Sequence, residues 1–206
     1  MPRSAGVKTK VERAAVELFA ANGFDGVSIA DIATAAGVSQ GALYRHYPSK
    51  EELAWALFST AYLRTGEELN RIRTREAEFE AAVRAMIAHF CALFDEDPAL
   101  FRFMLLTQHG FLPRIPSGSR TPVDAIADLV SDAVAKNRLK PVDPALGAAV
   151  IMGVILQSAT FHIYGRIGGS LGARAPALAR AAIAAARPAG PPPTIKTSVS
   201  WGTGMI

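Results

Sequence analysis

Residues Gly37–Leu53 read GVSQGALYRHYPSKEEL and predict two helices separated by a break. The first helix covers about Gln40 to Tyr47, and Pro48 ends it because proline has no backbone N–H to donate. Ser49–Glu52 then has the residue order of a capping box, which starts a longer helix. Gly41 inside so short a helix costs roughly 1 kcal/mol relative to alanine. The position of this glycine therefore needs an explanation.

Two further helices precede this stretch, and their spacing favours a helix-turn-helix. The first covers about Lys8 to Asn22 and carries an apolar stripe at helical intervals. Ser28 opens a capping-box variant, and the short helix that follows ends at Gly37. Because Ser39 can cap the next helix only two residues later, a three-residue turn with glycine joins the two short helices.

The helical period separates two sides of the Gln40–Tyr47 helix. Leu43 and Tyr47 are four residues apart and face inward. The outward side consists of Gln40 and Tyr44, with Gly41 and Arg45 beside them. Because the second helix of a helix-turn-helix lies in the major groove, this outward row is the predicted DNA-reading surface.

Each residue type in this row suits one kind of DNA contact. Gln40 can read adenine through a bidentate hydrogen bond, and Tyr44 and Arg45 can reach phosphates. Gly41 removes a side chain where DNA would approach the helix backbone. Lys50, in the first turn of the next helix, lies near amide groups that can also bind a phosphate. The period alone leaves open a surface helical hairpin in which Gly41 serves packing.

A larger set of positions stays in register over the three predicted helices. It comprises Ala14, Ala15, Leu18, Phe19, Gly23, Phe24, Ser28, Ile32, Ala33, Ala36, Gly37, Val38, Ser39, Gly41, Leu43, Tyr44, His46, Tyr47, Ser49, Lys50, Glu52 and Leu53. By these residues the segment closely resembles the DNA-binding domain of the TetR/AcrR family of bacterial transcriptional regulators. Two residues depart from the family's usual choice, Ser28 in place of Thr and Tyr47 in place of Phe. The rest of the chain agrees with the family only in its helical character, its length and its last two helices.

This resemblance implies an all-α protein with a helix-turn-helix domain over residues 1–53 and a helical ligand-binding and dimerisation domain over residues 54–187. It also implies a homodimer that binds a palindromic double-stranded DNA operator and is released by a small-molecule effector. The DNA contacts carried over by position are Ser28, Ser39, Gln40, Gly41, Tyr44, His46 and Lys50. Arg45 stands at a variable position, and we add it as an extra phosphate contact. His46 could equally cap the carbonyl groups at the end of its helix.

We expect an apolar effector pocket in the larger domain, with a few polar groups. The candidate lining residues are Phe90, Phe101, Met104, Gln108, Gln157 and Phe161. Each aromatic residue could instead belong to the hydrophobic core. No evident cluster of acidic residues accompanies them, which argues against a cationic drug as the effector.

Two helices near the C-terminal end are candidates for the dimer interface, at about Pro144 to Tyr164 and Pro176 to Arg187. Small residues recur on them at four-residue intervals, as Ala149 and Gly153 and as Ala177 and Ala181. Such spacing lets helices approach closely on one face, so two copies could form a four-helix bundle about a two-fold axis. Packing of these helices within one chain is the alternative.

Charge does not by itself predict DNA binding. The formal net charge is +4, but residues 1–143 together carry −1. The segment through Leu53 has six basic and six acidic side chains and is neutral. The prediction therefore depends on where the polar residues lie.

Other motifs are missing from the sequence. It has no metal-site Cys/His spacing, P-loop, dinucleotide fingerprint or Ser/His/Asp neighbourhood, so we expect no metal, no cofactor and no catalysis. The lack of a signal peptide and the single Cys91 predict a cytoplasmic protein. A helical ligand carrier or enzyme that keeps the N-terminal domain only for packing is the alternative function. Within DNA binding, an activator or a regulator that responds to a partner protein is another.

Composition alone leads to predictions for two further segments, an apolar run and the C-terminal residues. The apolar run Ala145–Leu156 is shorter than the ~20 residues of a membrane span, so we predict no membrane partner and a helix buried on most of its circumference. Residues 188–206 lack helical periodicity and are predicted to be a disordered tail.

Overall fold

The computed structural model describes residues 3–187, and the side chains of residues 6–187. These residues form nine α-helices and no strand, which confirms the all-α prediction. The helices are α1 (Arg3–Asn22), α2 (Ile29–Ala36), α3 (Gln40–Tyr44), α4 (Lys50–Arg75), α5 (Phe79–Glu96), α6 (Pro98–Phe111), α7 (Pro122–Ala135), α8 (Pro144–Ile163) and α9 (Ala175–Ala186). The predicted disorder of residues 188–206 lies outside the described residues.

The helix starts follow the capping residues read from the sequence. The Ser28 hydroxyl accepts a hydrogen bond from the Asp31 amide, and the Asp31 carboxylate accepts one from the Ser28 amide at 2.8 Å. Gly37 ends α2 in the left-handed region, at φ 66°. Ser39 and Ser49 cap α3 and α4 by accepting hydrogen bonds from amides three residues on. These contacts satisfy amide groups that have no partner within their own helix.

Helix α3 is shorter than the Gln40–Tyr47 helix that the period predicts. The amides of His46 and Tyr47 both donate to the Leu43 carbonyl, which closes a tight turn after Tyr44. Tyr47 nevertheless points inward and is buried. Helix α3, the predicted DNA-reading helix, therefore has only five residues, and the buried ring of Tyr47 anchors the turn that follows it.

The buried residues form two hydrophobic cores. The first joins α1 to α4 and includes Phe19 and Phe58 together with Phe103 and Phe111 from α6. The rings of Phe19 and Phe103 lie 5.6 Å apart. The second core joins the rest of α4 to α5, α7, α8 and α9, and includes Phe101. Helix α6 thus contributes buried aromatic rings to both cores, which links the helix-turn-helix to the larger domain.

Helix α8 differs from the prediction that it is buried on most of its circumference. Among the described helices it alone is long and apolar enough to cross a membrane, and 28% of its apolar window is buried. Helices α7 and α9 cover one side of it. The uncovered residues include Leu146, Phe161 and, just after the helix, Tyr164, which are 58%, 47% and 66% exposed. The prediction was wrong because composition does not show which side of a helix finds neighbours.

Asp95 and Asp97 fix the junction between α5 and α6. Asp97 accepts a hydrogen bond from the Leu100 amide at 3.0 Å, as expected of an N-terminal cap. Asp95 accepts hydrogen bonds from the Ser170 hydroxyl and from the amides of Leu171 and Gly172. Although burial acts in the opposite direction, these donors lower the pKa of Asp95. The segment before α9 is thereby tied to the end of α5.

Candidate nucleic-acid interface

The outward row of α3 is exposed as the period predicts. Gln40, Gly41 and Arg45 are exposed, and the Tyr44 side chain is 49% exposed. Together with Ser28 and Lys50, Gln40 and Tyr44 line one shallow groove between the start of α2 and α3. The structure therefore brings four of the eight predicted DNA contacts to a single surface, with Gly41 and Arg45 beside it.

Two buried side chains hold α3 in this orientation. Leu43 is fully buried in the first core. The Tyr47 hydroxyl donates a hydrogen bond of 2.6 Å to Glu12 Oε1 on α1. Burial, with the neighbouring carboxylate, raises the pKa of Tyr47, so the phenol stays protonated and donating. The end of the reading helix is therefore fastened to α1 by a specific polar contact.

Gly41 is not needed for packing within the chain. A Cβ atom placed on this residue would meet no atom of the described residues within 4 Å. This contradicts the alternative of a surface hairpin with a packing glycine. The free space lies on the exposed face of α3, where a partner could approach the helix backbone.

The side chains of Arg45 and His46 have no hydrogen-bond partner within the part of the chain that is described. His46 is half-buried but does not cap a local carbonyl group. Its alternative local role therefore finds no support. Ser39 is committed to the α3 cap through its hydroxyl oxygen, which accepts from the Ala42 amide at 3.2 Å.

Lys50 is held against the turn between α1 and α2. Its ammonium group donates to the Phe24 carbonyl oxygen at 3.0 Å and lies 4.3 Å from the centre of the Phe24 ring. An ammonium group has three N–H donors, so two remain for a phosphate. Lys50 is thus both a structural contact and a candidate DNA contact.

The six predicted pocket residues do not share one cavity. Phe90 and Phe101 are buried in the second core. Gln108 and Gln157 line a cleft between α6 and α8. Two others lie elsewhere: Met104 lines a cavity bounded by α1, α4, α5 and α6, and Phe161 is exposed. The structure therefore offers two separate cavities, of about 690 and 340 Å³.

The four predicted interface residues lie on exposed surface. Ala149 and Gly153 of α8 and Ala177 and Ala181 of α9 are all exposed. A Cβ atom on Gly153 would meet nothing within 4 Å. The opposite sides of α8 and α9 pack together within the chain through Ile155, Ala159, Ala179 and other small residues. One apolar side of this helix pair has no neighbour among residues 6–187.

Sequence reasoning missed two residues of the interface and one outside it. Glu12 and Phe24 fix Tyr47 and Lys50, and only Tyr47 itself, a polar replacement for the usual Phe, hinted at such a partner. Arg102 on α6 has a buried Nε atom without a hydrogen-bond partner in the described residues. The contacts of Glu12 and Phe24 join residues that are 35 and 26 positions apart in the chain, so local sequence patterns do not identify the partners.

No group of three His, Cys, Asp or Glu side chains that could hold a metal ion occurs in the described residues. Cys91 is fully buried in the second core, and burial raises the pKa of its thiol to about 11. A protonated, inaccessible thiol suits a role in core packing and not a nucleophile.

A three-helix unit with an exposed polar row on its third helix is the arrangement of a helix-turn-helix domain. Residues 13–57 match the family model described as bacterial regulatory proteins, tetR family. Over this N-terminal segment the chain is similar to the bacterial transcriptional regulators of the TetR family.

The chain is also similar to individual proteins, one by sequence and two by fold. Over 86 residues the chain is 41% identical to the mycofactocin biosynthesis transcriptional regulator MftR of Mycobacterium tuberculosis, a match that covers 42% of each protein and so less than half of that relative. The fatty acid degradation regulator FadR of Bacillus halodurans shares the fold, with a TM-score of 0.75, 18% identity, and 85% and 93% of the two chains covered. AibR in complex with isovaleryl coenzyme A and operator DNA gives a TM-score of 0.61 at 24% identity, with 75% and 86% covered.

Proposed function

We propose that this protein is a ligand-responsive transcriptional repressor that binds a two-fold symmetric DNA operator as a homodimer. The main support for this proposal is the exposed polar row of α3. This row surrounds Gly41, which is not needed for packing within the described residues. A helix with these properties can lie against base edges in the major groove. The protein would act in the cytoplasm, where its DNA is.

The proposed DNA contacts fall into two kinds, those to base edges and those to phosphates. Gln40 reads a base edge, and Gly41 allows the backbone to come close. The phosphate contacts are Ser28, Ser39, Tyr44, Arg45, His46 and Lys50. Of these, Arg45 and His46 have side chains without hydrogen-bond partners among the described residues, which leaves them available. Phosphate contacts set affinity and orientation, whereas the Gln40 contact sets sequence preference.

The dimer would form through the uncovered side of α8 and α9. Ala149 and Gly153 allow close approach of a second α8, and exposed Leu146 and Phe161 would supply apolar area. A closed two-fold pairing of these helices gives a four-helix bundle, and two reading helices then face two half-sites of a palindrome. The same pairing accounts for an apolar helix that is mostly uncovered in one chain.

The α6–α8 cleft is the effector site that we propose. Leu105, Leu106 and Leu156 supply apolar walls, and the predicted residues Gln108 and Gln157 supply polar groups. Arg102 lies on the same face of α6, three and four residues before the two leucines, and its buried Nε lacks a partner within the described residues. An apolar ligand with an anionic group fits this arrangement. Acyl coenzyme A thioesters are such ligands, and the AibR structure contains one.

The effector would act through α6, which contributes aromatic rings to both cores, and through α4, which begins next to the helix-turn-helix. A ligand can release DNA only by binding one of two arrangements more tightly than the other. The alternative of a helical carrier or enzyme with a vestigial N-terminal domain is not favoured, because a packing unit needs neither an exposed polar row nor a free Gly41.

Fluorescence anisotropy with duplex DNA from upstream of its own gene tests this proposal. The expected result is tight, salt-dependent binding that isovaleryl coenzyme A or a longer acyl thioester weakens and that coenzyme A alone does not. Equal affinity for this DNA and for random duplex would contradict autoregulation. Binding that no acyl thioester changes would remove this effector class and leave the DNA-binding proposal in place.

A further inference from the structure

The larger of the two cavities touches the contact that fastens the reading helix. This cavity, of about 690 Å³, lies between α1, α4, α5 and α6 and is lined by Glu12. Glu12 is the residue whose carboxylate accepts the hydrogen bond of the Tyr47 hydroxyl. A molecule in the cavity would therefore lie against the acceptor that holds the end of α3.

The cavity has an apolar wall of suitable size for a small organic molecule. Val16, Leu57, Leu93, Leu100 and Met104 contribute to it from all four helices. Its volume falls within the roughly 300–1,000 Å³ range of ligand pockets in proteins. The apolar wall can bury most of a compact hydrophobic ligand.

Acidic side chains outnumber basic ones around this wall. Four carboxylates and three guanidinium groups line the cavity. Two of the arginines are already paired, Arg13 with Asp97 at 2.8 Å and Arg71 with Glu68 at 2.7 Å. Burial lowers the pKa of the lining residue His89, although nearby carboxylates oppose this, so at neutral pH His89 adds no positive charge.

Two carboxylates and one arginine remain outside these pairs. Glu96 has no hydrogen bond or ion pair within the described residues, and Arg64 is likewise unpaired but exposed to water. The Glu12 side chain is only 33% exposed, and its nearest cation, Lys8, stays at 3.9 Å. This ion pair is longer than a direct hydrogen bond, so the partly desolvated Glu12 carboxylate can still attract a positively charged ligand.

We propose that this cavity binds an amphipathic monocation, whose charge lies at Glu12 and Glu96, and that the bound cation weakens operator binding by drawing Glu12 away from Tyr47. The acidic lining disfavours the polyanionic coenzyme A thioesters, so this site and the α6–α8 cleft select opposite charges. The regulatory half of the proposal rests on the proposed DNA-binding function, whereas the binding half does not.

The binding half is tested with two probes of one shape and opposite charge, tetraphenylphosphonium and tetraphenylborate. Calorimetric titration of the full chain should show one phosphonium ion bound per chain. Glu12→Gln and the exposed Glu96→Gln should each weaken this binding about tenfold, because each removes a charged partner. Asp128→Asn, at an exposed position of α7 that does not line the cavity, should leave it unchanged. Phosphonium binding that ignores both cavity variants, or equal, Glu12-dependent binding of the borate, would overturn the site.

The regulatory half is tested by Tyr47→Phe, which removes only the hydroxyl group. Saturating phosphonium should lower operator affinity of the wild type about tenfold, within the usual range of coupling between sites. The variant should bind the phosphonium normally, have lower operator affinity without it, and show no further change when it is added. A phosphonium effect of equal size in Tyr47→Phe would overturn the coupling. A protein that binds phosphonium but has no operator would instead refute the proposed function.

Discussion

Lys50 and Phe24 join the first turn of α4 to the turn between α1 and α2 by a hydrogen bond of 3.0 Å and by contact between the ammonium group and the ring. Helix α4 continues from there into the second core, where Leu69 and Ile72 are buried. A change in the direction of α4 must therefore move or break the contact with Phe24. The Lys50–Phe24 contact is therefore a direct structural link between the larger domain and the helix-turn-helix.

Replacement of Lys50 by glutamine should reduce both stability and the salt dependence of operator binding. The ring contact contributes about 0.5–1 kcal/mol at a partly exposed site. Loss of one phosphate contact should lower the slope of log K against log salt by about 0.9. Kd measured at several sodium chloride concentrations gives the slope, with Lys136→Gln at the exposed end of α7 as the control. An unchanged slope would mean that Lys50 touches no phosphate.

Replacement of Gly41 by alanine should separate stability from function. Alanine favours a helix by roughly 1 kcal/mol over glycine, and its methyl group meets nothing in the free protein. The thermal midpoint should therefore rise while operator affinity falls. Gly110→Ala is a matched control, since this helical glycine also has free space around its Cβ position. If both variants bind the operator as wild type, close approach of DNA at Gly41 is excluded.

Replacement of Gln40 by alanine should relax sequence preference at one operator position. A bidentate contact to adenine discriminates by ~1–3 kcal/mol, and this discrimination should vanish at that position alone. Affinities for operators substituted one base pair at a time provide the measurement. Discrimination that persists at every position would show that Gln40 reads no base.

Replacement of Gly153 by glutamate should yield a folded monomer. The site is exposed and has room for a side chain within one chain, so folding should be preserved. Two like charges opposed across a two-fold axis would prevent helix pairing. Sedimentation should show half the mass of the wild type, with operator affinity strongly reduced. Ala88→Glu, at an exposed position on α5, should remain dimeric, and a dimeric Gly153→Glu protein would place the interface elsewhere.

Replacement of Asp95 by asparagine should destabilise the protein at neutral pH and much less in acid. The hydrogen bonds from Ser170, Gly172 and Leu171 lower the pKa of Asp95, although burial opposes them. A lowered pKa in the folded state gives stability that is present above the unfolded value near 3.9 and is lost as the pH falls through the folded value. Thermal unfolding between about pH 3 and pH 7 measures this difference. A constant gap between variant and wild type would refute the charged contact.

The order of the helices and the exposed row of α3 could be predicted from the sequence, because both depend on residues that are close together in the chain. Ser28, Ser39 and Ser49 mark helix starts, and the four-residue interval between Leu43 and Tyr47 identifies the buried side of α3. These signals are local capping and periodicity. They identify the exposed row of α3, whereas the full set of proposed DNA contacts depends on the resemblance to the TetR/AcrR family.

The cavities could not be predicted, because they depend on how distant helices pack. Phe101 and Phe103 are two residues apart yet enter different cores. The sequence likewise gives no sign that four carboxylates line the cavity beside α1. Only the three-dimensional arrangement brings Glu12 from one end of the chain against side chains of α5 and α6.

Sequencing of genomic DNA fragments retained by the purified protein tests whether the protein binds a specific operator sequence. These fragments should share a two-fold symmetric sequence, bound at least about 1,000-fold more tightly than random duplex at physiological salt. Loss of Gln40 should change that sequence, and loss of the dimer should abolish its retention. Retained fragments with no common sequence, and no preference over random duplex, would contradict a sequence-specific regulator.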